Sequence, residues 1–99
     1  MTVDPNDWPE AVMYFEHYSD GIYDPTAFLD WIYKVGDVRE SDDGDALYIG
    51  RPGVDGIEFV YRRGSGAIWA YHPMESRWQL LADDIKKFER GWKAGELRV

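Results

Sequence analysis

Apolar and polar residues alternate most clearly between positions 56 and 71, GIEFVYRRGSGAIWAY. Two runs rich in β-branched and aromatic residues flank the turn-forming residues 63–66, Arg-Gly-Ser-Gly. This pattern is typical of a β-hairpin. Because both faces of the hairpin are partly apolar, alternation alone leaves open which face is buried. We expect four side chains to point into the core: Ile57, Phe59, Ile68 and Ala70.

Further elements are predicted on either side of this hairpin. Residues 46–50 (ALYIG) and 77–81 (RWQLL) have the composition of strands. Asp83 is placed to cap a helix that follows, and Gly95 is placed to end it. The apolar face of this helix is formed by Ile85, Phe88 and Trp92.

The first part of the chain has apolar residues at helical spacing. A first helix is predicted over residues 8–18, with Asp7 as N-cap and Glu10 as its capping-box partner. Its apolar positions are Trp8, Val12, Phe15 and Tyr18. A second helix is predicted to begin at Asp24-Pro25 and to stop at Gly36. Its apolar positions are Phe28, Trp31, Ile32 and Val35.

These elements predict an α+β protein made of one domain over residues 1–99. Its order would be two N-terminal helices, a four-stranded antiparallel meander and a C-terminal helix packed on the sheet. Residues 37–45 (DVRESDDGD) lack apolar periodicity and are expected to form an exposed loop.

Charge is distributed unevenly along the chain. Residues 1–45 have twelve acids and two bases, a net charge of −10, whereas residues 46–99 have nine bases and seven acids, which gives +2. Such an acidic half repels the phosphates of nucleic acids and attracts basic partners. We therefore expect a basic protein partner and no direct binding of nucleic acid. The same acids leave open an alternative, a DNA mimic of a phage or mobile element that inhibits a DNA-binding enzyme.

Candidate catalytic and metal-binding motifs are weak. The chain has no cysteine, its serines fall in predicted turns, and His17 and His72 belong to no nucleophile motif. Residues 42–45, Asp-Asp-Gly-Asp, lack the spacing of a calcium-binding loop. We expect no metal, no cofactor and no enzymatic activity, with a small enzyme that uses paired carboxylates as a remote alternative.

The chain is also expected to be cytoplasmic and to have no membrane partner. No apolar run approaches the ~20 residues of a membrane span. The acidic start MTVDPNDWPE does not have the basic and then apolar pattern of a signal peptide.

Residues 46–92 resemble the C-terminal half of the SUKH superfamily. In that family a strand ending in Ile-Gly leads through a glycine-rich turn into a hairpin, as Ile49-Gly50 and residues 53–56 do here. A glycine with a β-branched residue and an aromatic opens the next strand, matching residues 66–69, Gly-Ala-Ile-Trp. The family's final helix begins with a Leu-Ala-acid pattern, matched by residues 81–85 together with Phe88.

This resemblance implies a binding module without shared catalytic residues. Many bacterial members resemble or are immunity proteins, which neutralise a cognate toxin, often a nuclease. Because the contacting surfaces differ among members, the binding residues are predicted from this sequence, from exposed acids and from aromatics that one core could hardly hide. The candidates for protein binding are Glu16, Asp20, Asp37, Glu40, Asp42, Asp43, Asp45, Trp69 and Tyr71.

Overall fold

An antiparallel sheet of seven strands organises residues 3–99, the part of the chain that the computed structural model describes. The strands are β1 (Ile22–Asp24), β2 (Leu29–Ile32), β3 (Arg39–Glu40), β4 (Ala46–Gly50), β5 (Glu58–Arg62), β6 (Ser65–His72) and β7 (Arg77–Ala82). Their spatial order is β1-β2-β4-β5-β6-β7, and β3 pairs with β4. Neighbours in sequence are therefore mostly neighbours in space.

The helical elements are short. Two 3-10 helices, Pro5–Asp7 and Pro9–Ala11, lead into α1 (Val12–His17), and a third, Val35–Asp37, precedes β3. The longest helix is α2 (Ile85–Lys93), where the Asp84 side chain accepts a hydrogen bond from the Lys87 amide, 2.8 Å away. Gly95, at φ +74°, ends it in the left-handed conformation that glycine adopts without strain.

The core lies on one face of the sheet, here called the inner face. Phe59 of β5 is paired with Ala70 of β6, and both are fully buried. The Phe88 ring of α2 packs edge-on against Phe59, with 4.7 Å between ring centroids, and against Trp31 at 5.7 Å. The N-terminal segment covers the same core with Trp8, Ala11 and Tyr14.

The predicted fold class is confirmed in its coarse form, because the protein is α+β with a mostly antiparallel sheet. The hairpin, the strand at 46–50 and the strand at 77–81 are confirmed as β4 to β7. The four side chains expected to point inward all belong to the core. The prediction of four strands is wrong, because β1, β2 and β3 precede the meander.

The second predicted helix is a β-hairpin instead, formed by β1 and β2. The Asp24 carboxylate, expected to cap a helix, accepts hydrogen bonds from the amides of Thr26 and Ala27 and closes a turn. Phe28 has φ +57°, which interrupts any helix, and its side chain is 81% exposed. Gly36 lies within the 3-10 helix Val35–Asp37 and not at a helix end.

The first helix is confirmed in position but differs in detail. The α-helix itself is limited to α1, where Tyr14 is buried and Val12 is 49% exposed, while Ala11 is buried in the preceding 3-10 helix. The expected capping box of Asp7 and Glu10 does not form, since the Glu10 carboxylate instead accepts a hydrogen bond from the Gly64 amide at 2.7 Å.

Two further boundaries require correction. The N-cap of α2 is Asp84 and not Asp83, whose carboxylate forms a salt bridge with Lys87. The predicted loop 37–45 contains β3, which pairs Arg39 with Tyr48 and so adds a short strand to the sheet.

Candidate functional site

The outer face of the sheet, opposite the core, carries a continuous set of aromatic and aliphatic side chains. Cross-strand pairing aligns Val60 with Tyr48 and Trp69, and Trp69 with Leu80. Tyr71 is paired with Trp78, and their rings are 4.6 Å apart. We call this set the aromatic face: Tyr48, Val60, Trp69, Tyr71, Trp78 and Leu80. Both α1 and α2 pack their buried side chains into the inner core, so neither helix covers the aromatic face.

Exposure on the aromatic face increases toward the edge of the sheet. Val60, at the centre of the face, is fully buried between its neighbours, and Trp69 is partly buried. Trp78 and Leu80 on β7 are 37% and 53% exposed. An apolar surface of this kind, bordered by charged side chains, is typical of protein interaction sites.

Two arginines lie over these aromatic rings. The guanidinium of Arg39 is 4.5 Å from the centroid of the Tyr48 ring, and that of Arg62 is 4.9 Å from Trp69 and 4.4 Å from Trp78. Arg39 also donates to Glu58 at 2.6 Å, and this hydrogen bond raises the pKa of Arg39. Cation–π contact therefore partly shields the rings from water. Because Glu58 pairs with Arg39, Arg62 is the one of these two arginines whose charge is not balanced by an ion pair within residues 3–99.

The acidic turn that follows β3 lies at the border of this face. Ser41 and the Asp45 amide donate hydrogen bonds to the Asp43 carboxylate, at 2.6 and 3.0 Å. These bonds lower the pKa of Asp43, so its carboxylate stays ionised at neutral pH. Asp42 and Asp45 are exposed, and the turn presents three negative charges to the solvent.

Arg63, in the hairpin turn, connects this acidic turn to the N-terminal segment. Its guanidinium donates to the backbone carbonyls of Gly44 and Asp7 and lies 3.7 Å from the centroid of the Trp8 ring. Glu40, predicted as a binding residue, accepts a hydrogen bond from Trp8 Nε1 at 2.7 Å and lies 3.8 Å from Arg63. The negative charge of Glu40 is thus largely balanced by these two contacts within the protein.

The structure brings together only some of the predicted binding residues. Asp45 and Trp69 line a common cavity of about 340 Å³, together with Arg62, Arg63 and Ser65. Tyr71 lies on the aromatic face beside Trp78.

The remaining predicted residues lie elsewhere. Glu16 is on α1 beside His17, and Asp20 follows that helix. Asp37 belongs to the 3-10 helix Val35–Asp37. Because α1 packs on the inner side of the sheet through Tyr14, Glu16 is separated from the aromatic face.

The predicted binding residues do not include Tyr48, which is expected only as one of several partly exposed aromatics, nor Trp78, Leu80 and the two arginines of this surface. The alternation of Trp78 and Leu80 in the RWQLL strand indicates that they share a face. Alternation does not determine the register between β7 and β6. That register places Trp69 beside Leu80 and Tyr71 beside Trp78.

The described residues offer little support for other kinds of site. Within residues 3–99, no three His, Asp or Glu side chains are arranged to hold a metal ion. No helix in that part of the chain is long and apolar enough to cross a bilayer. Comparison with protein-family models, curated proteins and solved structures gives no match for this chain. The resemblance to the SUKH superfamily therefore stays a prediction.

Proposed function

We propose that this chain is an immunity-type binding protein that neutralises a protein toxin or effector of basic character by covering part of its surface. The observation that carries the proposal is the aromatic face, which adjoins the acidic turn at Asp45 and Trp69. The proposal assigns no catalytic role to any residue. Its action is steric occlusion, assisted by opposite charge.

The composition of this surface supports a protein partner. Tryptophan and tyrosine dominate the binding energy of protein interfaces, because they bury a large area at a small entropy cost. Trp69, Tyr71 and Trp78 are adjacent on the aromatic face. The negative charges of Asp42, Asp43 and Asp45 at its border would accelerate association with a basic partner.

The test is affinity capture from the native host, followed by measurement of binding to the captured protein. A double variant, Trp69→Ala with Trp78→Ala, should lose the partner, because it removes two anchors of the aromatic face. A triple variant, Asp42→Asn with Asp43→Asn and Asp45→Asn, should retain it but associate more slowly and with a weaker dependence on salt. Phe28→Ala is the matched control, since Phe28 is an exposed aromatic in the β1–β2 turn.

Co-expression gives the functional outcome. The wild-type chain and the Phe28→Ala control should protect cells from the captured effector, and the double variant should not. Unchanged binding by the double variant contradicts the proposal. If that variant still binds a DNA-processing enzyme and the triple variant does not, the DNA-mimic alternative is favoured instead.

A further inference from the structure

We propose that Arg62 and Trp69 form a binding site for a carboxylate, at the cavity that they share with Asp45 and Ser65 on the outer side of the sheet. The proposal is independent of the proposed function. It depends on hydrogen-bond donors that have no acceptor in the folded chain, and it holds whether the carboxylate belongs to a protein or to a small acid.

Arg62 provides the first donor group. Its guanidinium contacts the rings of Trp69 and Trp78 but makes no hydrogen bond or ion pair within residues 3–99. A guanidinium has five N–H donors in a planar fork, which matches the two oxygens of a carboxylate. Aromatic rings hold the cation in place without using these donors, so its fork is available to a ligand.

The Trp69 indole provides the second donor. Its Nε1 atom is buried, and none of the residues from 3 to 99 accepts a hydrogen bond from it. Buried polar groups of native proteins nearly always have a partner, so an unpaired one requires an explanation. A carboxylate that bridges Arg62 and the indole N–H would supply that partner. No hydrogen bond in the described chain holds the Arg62 guanidinium, so it can turn toward such a ligand without losing one.

Arg63 is not available for this role, although it lines the same cavity. Its Nε donates to the Gly44 carbonyl at 3.0 Å, and a second nitrogen donates to the Asp7 carbonyl. The carboxylates of Glu10 and Glu40 lie 3.9 and 3.8 Å from its guanidinium. The charge of Arg63 is therefore already balanced, and Arg62 is the cation open to a ligand.

The neighbouring groups favour a monoanion over a phosphate. Asp45 lines the cavity and repels a second negative charge, and the protein as a whole has a net charge of −8. A carboxylate has one charge and is planar, so its two oxygens can pair with the fork of the guanidinium. The Ser65 hydroxyl, which accepts from the Ala67 amide, can still donate its own proton.

The test follows the indole N–H signal of Trp69 by nuclear magnetic resonance during titration with benzoate. The signal is assigned with the Trp69→Phe variant. We expect a saturable downfield shift with benzoate and none with benzamide, which has nearly the same shape but no charge. Inorganic phosphate should bind more weakly than benzoate. Stronger binding of phosphate would overturn the choice of ligand.

Variants identify the residues responsible. Arg62→Gln should weaken benzoate binding about tenfold or more, because it removes a charge-assisted hydrogen bond. Arg62→Lys, which retains the charge but not the fork, should have an intermediate affinity. Arg90→Gln removes an exposed guanidinium on α2 and should leave binding unchanged. The spectra of all variants also report whether the fold is retained.

The source of the carboxylate is distinguished by a second probe, N-acetylglutamate methylamide, which stands for a glutamate of a partner protein. Tighter binding of this probe than of benzoate assigns the site to a protein side chain, and the reverse assigns it to a small aromatic acid. The proposal is overturned if neither probe gives a saturable shift, or if Arg62→Gln binds them as tightly as the wild type.

Discussion

The two faces of the sheet carry similar aromatic residues in contrasting surroundings. On the inner face, Phe59 and Trp31 are buried beneath α2 and contact the Phe88 ring. On the outer face, Trp69 and Trp78 remain partly exposed, and a guanidinium lies over them in place of a helix. The helices therefore cover the inner face of the sheet and leave the outer face without a second layer.

This difference separates aromatics that stabilise the fold from those that are available for binding. An aromatic ring buried by a helix contributes most of its transfer free energy to folding. A ring under an arginine retains part of its exposed area and can bury it against another molecule. We therefore expect substitutions on the inner face to unfold the protein and those on the outer face to alter binding.

The largest effect is expected from Phe88→Ala on the inner face. Phe88 is fully buried and contacts Phe59, Trp31 and Trp92, so its loss leaves a cavity that its neighbours cannot fill. The free energy of unfolding should fall by about 3–5 kcal/mol, as measured by chemical denaturation.

The control for this prediction is the same substitution at Phe28, whose side chain is 81% exposed. It should change the free energy of unfolding by about 0.5 kcal/mol or less. Equal effects at the two positions would contradict the assignment of the inner face as the core.

An intermediate effect is expected from Arg63→Ala, at the border between the two faces. This change removes the hydrogen bonds to Gly44 and Asp7 and the contact with Trp8. Because the guanidinium is partly exposed, the loss of stability should be about 1–3 kcal/mol. Chemical denaturation followed by circular dichroism measures it. Arg51→Ala, an exposed arginine before the β5 strand, is the control and should have little effect.

A smaller effect is expected from Trp78→Ala on the outer face. Trp78 is 37% exposed and loses mainly its contacts with Tyr71 and Arg62. Stability should decrease by about 1–2 kcal/mol, the combined range of an aromatic pair and an exposed cation–π contact. Thermal unfolding of this variant beside Phe88→Ala compares the two faces directly, and a loss as large as that of Phe88→Ala would show that the outer face is part of the core.

The smallest effect is expected at the rim of the inner face, where Glu89 accepts hydrogen bonds from Lys93 and Tyr18. The bond from Lys93 is the main cause that lowers the pKa of Glu89. Since the folded pKa is lowered, the contribution to stability is present above the usual pKa of glutamate, about 4.3, and is lost as the pH falls through the folded pKa.

Glu89→Gln should therefore lower the free energy of unfolding by a few tenths of a kcal/mol at pH 7, as expected for a surface ion pair. At pH 3 the difference from wild type should shrink. Denaturation at both pH values measures this, with Glu96→Gln as the control at an exposed carboxylate. A difference that grows on acidification would contradict the sign of the linkage.

The sequence predicts the second half of the fold well, because each of its elements has a local signal that agrees with its tertiary surroundings. The hairpin of β5 and β6 alternates, β4 and β7 have the composition of strands, and α2 has a capping carboxylate and a terminal glycine. The second predicted helix, from Asp24-Pro25 to Gly36, does not form, and the reason is physical. An aspartate followed by proline can cap a helix or close a turn, and here the pairing of β2 with β1 and β4 decides for a strand.

The candidate site is predictable only in part. Trp69 and Tyr71 follow from the excess of aromatics, and the acids of the turn follow from composition. The positions of Arg39 and Arg62 over the rings depend on the register of five strands, β3 to β7, and alternation does not determine that register. The contacts that balance the charge of Glu40 come from Trp8 and Arg63, which are distant from it in sequence.

The connections made by Arg63 also have a consequence for the order of folding. Strands β4 to β7 follow one another through short turns, so their pairing requires the closure of small loops only. The bond from Arg63 to Asp7 spans 56 positions and closes a much longer loop, which costs more entropy. We expect the meander to form first and the N-terminal segment to dock last. The contact between Arg63 of the hairpin turn and Asp7 would then be among the last to form.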